Sequence, residues 1–419
     1  MATHRRRFLQ YGAAPILYPF LARNSSAASI AGSDYYPPPD AAGGWRTLAG
    51  AERIRKVAGM DLDRLDQAFR YTATTSQHGG LLVARHGWLL YERYFGRAAR
   101  DVTPNMYSIG KTVTSLCCGI VLDEHRNRIP KGLDQGVFTE SYLPEAFPLA
   151  DPRQASIKLG HLLTMTSGMR EGNSGIVRGE VVKLEAQPPA AKLDQDQAAL
   201  RAPMWTNPGG GYSYSSQGVH VVSTFLRHIV GMELQAYFDQ KIARHLGFGG
   251  WGYAMDTAAG RLPHTPGGAG VALRATDALR YGYLMLREGN WMGKQLVPRD
   301  YMALCRQPSP YNVHSPYSLQ FEVNADGHVF GAPRDTFFKS GAGGFCLYAV
   351  PSLDLVVYKL ASVNRPGDYD LGYGRNTAKT DDARDTWAPG PSDQFHDGPI
   401  NGDAGTRRTL EMVIAAITG

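Results

Sequence analysis

Three short stretches of this 419-residue chain carry side chains that could do chemistry together. In "NMYSIGKTVTSLCCGIV" (105–121), Ser108 stands three residues before Lys111, which on a helix puts both on one face, a turn apart. Val113, Leu116, Cys117, Ile120 and Val121 follow at helical spacing and predict a buried stripe. A serine hydroxyl is a poor nucleophile until a neighbouring base takes its proton. Lys111 can be that base only where burial and nearby positive charge keep it neutral. The plainer reading of the same pattern is a helix that caps itself with Ser108 while Lys111 snorkels. Because the motif opens an apolar helix, free backbone N–H groups and the helix dipole would favour negative charge developing at Ser108.

The second stretch is "MWTNPGGGYSYSSQGVHVV" (204–222), a glycine-rich approach to a Tyr/Ser cluster that opens another helix. Tyr214 stands out there, since a phenol near ammonium groups can be acidified enough to act as a base. Tyr212 and Tyr214 also read simply as half-buried tyrosines. The third is "FFKSGAGGF" (337–345), where Lys339 and Ser340 lie on a strand ahead of Gly341, Gly343 and Gly344. Those glycines leave the strand edge bare, so a substrate backbone could lie along it with Lys339 facing its carboxylate or the base. The alternative is a solvated strand lysine before a glycine bend.

Such residues need a frame. "YYPPPDAAGG" reads as linker within residues 32–59, and "MDLDRLDQAFRYTATT" (60–75) as an amphipathic helix presenting Leu62, Leu65, Ala68 and Phe69. "GGLLVARHGWLLYERYFG" (79–96) is a hairpin around a His-Gly turn. From about 122 to 300 the pattern is mainly helical, interrupted by Pro and Gly. "SLQFEVN", "HVFGAP", "FFKSGAGGFCLYAVP" and "LDLVVYKLAS" predict an antiparallel meander, residues 364–402 a long polar excursion, and "RRTLEMVIAAIT" a closing helix. The fold class is therefore α+β: an antiparallel sheet from both chain ends, flanked by helices, with an inserted helical subdomain. The crevice between the two parts is the natural place for a site.

Bulk properties exclude several other functions. The formal charge is +6, but residues 1–31 hold Arg5, Arg6, Arg7 and Arg23 with no acid, and without them it falls to +2. No later basic run interleaves with aromatics, so a nucleic-acid surface is not expected. "THRRRFLQ" followed by "YGAAPILYPFLA" has the form of a twin-arginine export signal, with cleavage expected after Ala27 or Ala31. The apolar stretch is too short to span a bilayer, so a periplasmic or secreted protein with no stable membrane span is expected. A retained basic, amphipathic anchor is the alternative. Four cysteines without a C-x-x-C, and twelve histidines without ligand spacing, predict no metal site.

Taken in order, the three stretches resemble the serine β-lactamase/penicillin-binding-protein superfamily, in the class C-related branch with family VIII esterases, D-Ala carboxypeptidases and 6-aminohexanoate-dimer hydrolases. Its Ser-x-x-Lys, Tyr-x-Asn and Lys-Thr-Gly motifs correspond to Ser108–Lys111, Tyr214-Ser215-Ser216 and Lys339-Ser340-Gly341. "LGHLLTMTSGM" and "GGAGVALRATDALRYGYLMLREGNWMGKQLV" are similar to further segments of that branch, so the likeness runs from about 80 to 362.

The resemblance implies that Ser108 is acylated, with Lys111 beside it as proton acceptor or relay. Tyr214 would be the base for acylation and the acid toward the leaving group, and which of Lys111 and Tyr214 is the base stays open. Lys339 would hold Tyr214 or a substrate carboxylate. The N–H groups of Ser108 and Ala342 would form an oxyanion hole, worth roughly 3–4 kcal/mol per donor. Ser216, Ser340 and Gly341 would border the substrate. Two positions depart from the pattern: Ser216 replaces an amide that helps hold the lysine and the substrate, and Ser340 replaces Thr. The reading is an exported serine hydrolase of a small ester, amide or peptide, needing no cofactor. A β-lactamase or D-Ala-type peptidase, or a catalytically silent binding protein, are its alternatives.

Overall fold

The computed structural model describes residues 35–185, 194–257, 260–362, 369–373 and 404–418. The segment read as an export signal, and nearly all of the 364–402 excursion, lie outside them.

Strand β1 (Gly79–Arg85) and strand β2 (Trp88–Phe95) form the expected hairpin, with His86 and Gly87 both at positive φ in its two-residue turn. The other end of the chain supplies β11 (Tyr317–Ser318), β12 (Phe321–Val323), β13 (Phe337–Gly341), β14 (Phe345–Val350) and β15 (Leu355–Leu360). These seven strands make one antiparallel sheet, in the order β11-β12-β13-β14-β15-β1-β2. Alternate side chains serve opposite layers, as the two-residue strand period requires. Leu355 and Val357 join one core with Phe338 and Tyr348, while Val356, Tyr358 and Leu360 join the other.

The first core lies under α1 (Ala51–Ala58), α2 (Leu62–Thr74) and α11 (Ala404–Ala415). Helix α2 starts where Asp61 accepts a hydrogen bond from the Arg64 N–H, and it buries Leu65, Ala68, Phe69 and Thr72, one apolar face at helical spacing. Each fully buried aliphatic side chain contributes about 1.5–3 kcal/mol, which is what holds such a helix to the sheet.

The larger core holds the insertion. Helix α3 (Gly110–Glu124) is buried continuously from Gly110 to Val121, which explains a helix with no polar face. Around it come α4 (Leu159–Leu163), α5 (Gln195–Leu200), α6 (Ser216–Val230), α7 (Leu234–Phe238), α8 (Arg244–Leu246), α9 (Ala275–Leu286) and α10 (Arg299–Cys305). The insertion is not purely helical. Hairpin β3 (Ser174–Val177) with β4 (Glu180–Lys183) joins it, as do two-residue pairs of β5 (Gly252–Tyr253) with β8 (Val271–Ala272), β6 (Asp256–Thr257) with β7 (Gly260–Arg261), and β9 (Asn290–Trp291) with β10 (Lys294–Gln295).

Two expectations change. Residues 35–58, read as linker, are packed. Arg280 on α9 is wholly buried, and it donates to the Pro38 carbonyl at 2.6 Å and pairs with Asp40. A buried guanidinium must be matched, and this proline-rich strap shares the matching with Asp277 on α9, whose carboxylate takes the other terminal nitrogen at 2.7 Å. "HVFGAP" is a turn and not a strand. The Asn324 side chain accepts from the Val329 N–H and donates to the carbonyls of Ala332 and Pro333, closing the segment on itself. All four cysteines are free and buried. No helix among the described residues is long and apolar enough to cross a membrane.

Candidate active site

Ser108 sits in a tight turn, Tyr107–Ile109, that leads into α3. Tyr107 has φ of +48°, uncommon for a non-glycine residue, and its N–H is held by Asn105 Oδ1 at 2.9 Å. The Met106 N–H donates to the Val271 carbonyl at 2.8 Å. The chain leading into the serine is therefore held twice before its helix begins. Strand β13 closes on the same turn. A Cβ on Gly341 would stand 2.3 Å from the Met106 carbonyl oxygen, so only glycine lets the strand end approach this closely. Ala342 follows in the turn beyond it, and that turn is held by the buried Lys359, whose Nζ donates to the Gly344 carbonyl at 2.7 Å.

Lys111 is fully buried one turn along from Ser108. Its Nζ donates to Ser108 Oγ at 2.8 Å and to the Gly268 carbonyl at 2.6 Å. The helical reading of Ser-x-x-Lys is thus a direct contact, and the snorkelling alternative is excluded. Tyr214 lies just before α6, whose first turn is capped by Ser215. The Tyr214 ring is flanked by two amines: Lys111 Nζ is 4.7 Å and Lys339 Nζ 4.9 Å from its centre. Amines over an aromatic face are attracted to it, which holds the phenol between them. The structure therefore brings Ser108, Lys111, Tyr214 and Lys339 into one cluster.

Lys339 is 1 % exposed and lies 3.8 Å from the equally buried carboxylate of Glu322 on β12. The Tyr317 ring faces the same amine at 5.3 Å. Glu322 also accepts the Ser340 hydroxyl at 2.6 Å. The Ser340 hydroxyl is thus buried and committed to Glu322. On the neighbouring strand, burial and then the Glu322 charge push the Cys346 thiol well up, so it remains a neutral packing group.

Ser216, at the start of α6, donates its N–H to the Glu171 carboxylate. Its side chain abuts Gly268, where a Cβ would come within 3.0 Å of Ser216 Cβ. The lysine-holding role that the resemblance gives to an amide at 216 is met here by the main-chain carbonyl of Gly268. Sequence reasoning missed Gly268, Glu322 and Glu171. The only charged residue in "SLQFEVN" was the available signal for Glu322, although the run expected as one strand is split into β11 and β12 by a turn with Leu319 and Gln320 at positive φ. A backbone acceptor leaves none. Among the described residues no group of three or more His, Cys, Asp or Glu side chains is arranged to hold a metal ion.

The Beta-lactamase family profile matches residues 65–382. The chain belongs to the beta-lactamase family. Among curated proteins it is similar to Esterase EstB of Burkholderia gladioli, 29 % identical over 186 residues, a match covering 41 % of this chain and 46 % of that protein. This beta-lactamase-family chain thus matches under half the length of that curated relative. Among solved structures it is similar to EstCE1, a hydrolase with promiscuous acyltransferase activity, with a TM-score of 0.59 at 20 % identity, covering 85 % of this chain and 98 % of the other. It is also similar to a penicillin-binding protein homologue from Caulobacter crescentus, with a TM-score of 0.57 at 15 % identity, covering 84 % and 98 %. The α+β architecture is that of the β-lactamase and penicillin-binding-protein fold, and the chain falls among serine hydrolase-like proteins.

Proposed function

We propose that this protein hydrolyses a small ester or amide through an acyl-enzyme on Ser108. The observation that carries the reading is the contact of Lys111 Nζ with Ser108 Oγ at 2.8 Å, beside a Tyr214 ring that faces the same amine. As Ser108 Oγ attacks the carbonyl carbon, Lys111 or Tyr214 takes its proton. The oxygen that becomes negative is met by the N–H groups of Ser108 and Ala342. Tyr214 then protonates the departing alcohol or amine, the acyl group stays on Oγ, and water releases it by the same steps in reverse. Residues 1–31 would export the folded protein to the periplasm or beyond by the twin-arginine route.

Two features favour a small ester or amide over a β-lactam or D-alanyl peptide. Ser216 offers no amide to a substrate's acyl-amide group, and the Lys339 charge is already faced by Glu322. The test compares p-nitrophenyl butyrate with nitrocefin on the full chain and on Ser108→Ala. The proposal expects the ester to be turned over faster and the alanine variant to be inert. Faster nitrocefin turnover would make the protein a β-lactamase. Turnover of neither, with no labelling by fluorophosphonate or fluorescent penicillin, would make it a binding protein.

A further inference from the structure

The segment "GGAGVA" (267–272) resembles a family signature, yet no step above uses its side chains. Its backbone runs between the two helices that carry the site. The Gly267 carbonyl accepts from Thr114 Oγ1 on α3 at 2.6 Å, and the next carbonyl, of Gly268, accepts from Lys111 Nζ at 2.6 Å. The Gly267 N–H points the other way, donating at 3.2 Å to Nδ1 of His220 on α6. There is no slack in this placement. A Cβ on Gly267 would stand 2.4 Å from Ser223 Oγ and 2.9 Å from the Val219 carbonyl oxygen, both on α6.

His220 is itself held. Its Nδ1 accepts from the Gly267 N–H, which leaves Nε2 to carry the ring hydrogen and donate to Asp196 Oδ1 at 2.7 Å. The second carboxylate oxygen of Asp196 accepts from Arg227 Nη2 at 2.7 Å, so the carboxylate is also held by a second residue of α6. Burial alone would raise the Asp196 carboxyl, but the bonds from His220 and Arg227 outweigh it and hold it well below the usual range. Ser223 Oγ is 3.3 Å from Nδ1, but it spends its own hydrogen on the His220 carbonyl.

We propose that His220, oriented by Asp196, is a positioning residue for the reaction at Ser108: it fixes the Gly267–Gly268 backbone and through it the amine of Lys111. The proposal rests on the hydrolase reading given above. The chain of contacts is continuous, from Asp196 to His220, to Gly267, across one peptide to the Gly268 carbonyl, then to Lys111 and Ser108 Oγ. Helix α6 thereby sets two partners of the serine at once, Tyr214 at its entry and Lys111 through the glycine pair. This takes over the lysine-holding that an amide at position 216 would otherwise perform. A base that drifts by about 1 Å loses on the order of a hundredfold in rate, so a backbone acceptor of a buried amine must be held firmly.

The two ring nitrogens allow a test that a mere packing role would fail. Asparagine at 220 puts an amide oxygen where Nδ1 stands and keeps an acceptor for Gly267, but cannot reach Asp196. Glutamine reaches Asp196 and leaves the Gly267 N–H without its acceptor. The measurement is the rate at which a fluorophosphonate labels the full chain, with melting midpoints recorded alongside. For His220→Gln the rate is expected to fall roughly ten- to a hundredfold. For His220→Asn it is expected to stay within about threefold of the parent, although both replace the same buried ring. Equal rates in the glutamine variant and the parent, or equal losses in both variants, would overturn the proposal. If the glutamine variant does not fold, His220→Leu decides: it is close to asparagine in size but offers Gly267 no acceptor, so labelling is expected to slow by roughly tenfold or more, and an unchanged rate would overturn the proposal. A parent chain that takes no label brings down the hydrolase reading itself, a different result from a labelled parent with indifferent variants.

Discussion

Gly341→Ala isolates the packing of the sheet edge against the serine turn. Gly341 has an extended φ of −132°, which any residue adopts, so alanine brings no backbone strain of its own. What it brings is one methyl group, 2.3 Å from the Met106 carbonyl oxygen, two residues before Ser108. Ordinary contact begins at 3.4 Å, so strand and turn must separate by roughly 1 Å. The turn carries the nucleophile, and the strand end leads into Ala342. A displacement of this size lowers turnover about a hundredfold, or roughly 2.7 kcal/mol of barrier. Overpacking alone takes about 1–3 kcal/mol from stability, which a folded domain of this size survives. The assay is kcat and KM for p-nitrophenyl butyrate, with urea unfolding as control. The loss should fall on kcat more than on KM. A folded variant with kcat within about threefold of the parent would refute the claim that this approach sets the geometry.

Two further outcomes follow from buried charge. Glu322→Gln keeps an acceptor for the Ser340 hydroxyl but leaves Lys339 without its facing carboxylate, so urea unfolding should report a loss of about 3 kcal/mol together with reduced ester turnover; an unchanged midpoint would remove Glu322 from the account. His161 is pushed down to about 4, by burial and then by Lys158, whereas an unfolded histidine takes its proton near pH 6.5. Between those values the unfolded chain binds more protons, so this contribution to stability is full above about pH 6.5 and is lost as pH falls toward 4. His161→Asn retains an acceptor for the Lys158 N–H and should flatten that limb of the stability curve; parallel curves for parent and variant would count against it.

What the sequence revealed and what it hid have a common physical cause. The hairpin at 79–96, α2 and α3 were legible because period and turn chemistry are local. The contact of Ser108 with Lys111 was one of the two readings that helical spacing allowed. The strap at 35–58 was misread because its reason for order is Arg280, more than two hundred residues away, and the proline run carries no trace of that partner. The bond from the Ser340 hydroxyl to Glu322 left no sign, because motif order says nothing of the next strand. Gly268 was hidden more completely, since it acts through a carbonyl that every residue has. Long-range pairing and main-chain acceptors are where reading the chain gave out.

The central claim is that Ser108 becomes acylated. The most direct measurement mixes the full chain with p-nitrophenyl butyrate, quenches in acid, and weighs the intact protein and its peptides. A butyryl group on the peptide bearing Ser108, absent from Ser108→Ala, is the result expected. No adduct, an adduct on another residue, or an alanine variant that hydrolyses the ester as fast as the parent would contradict it.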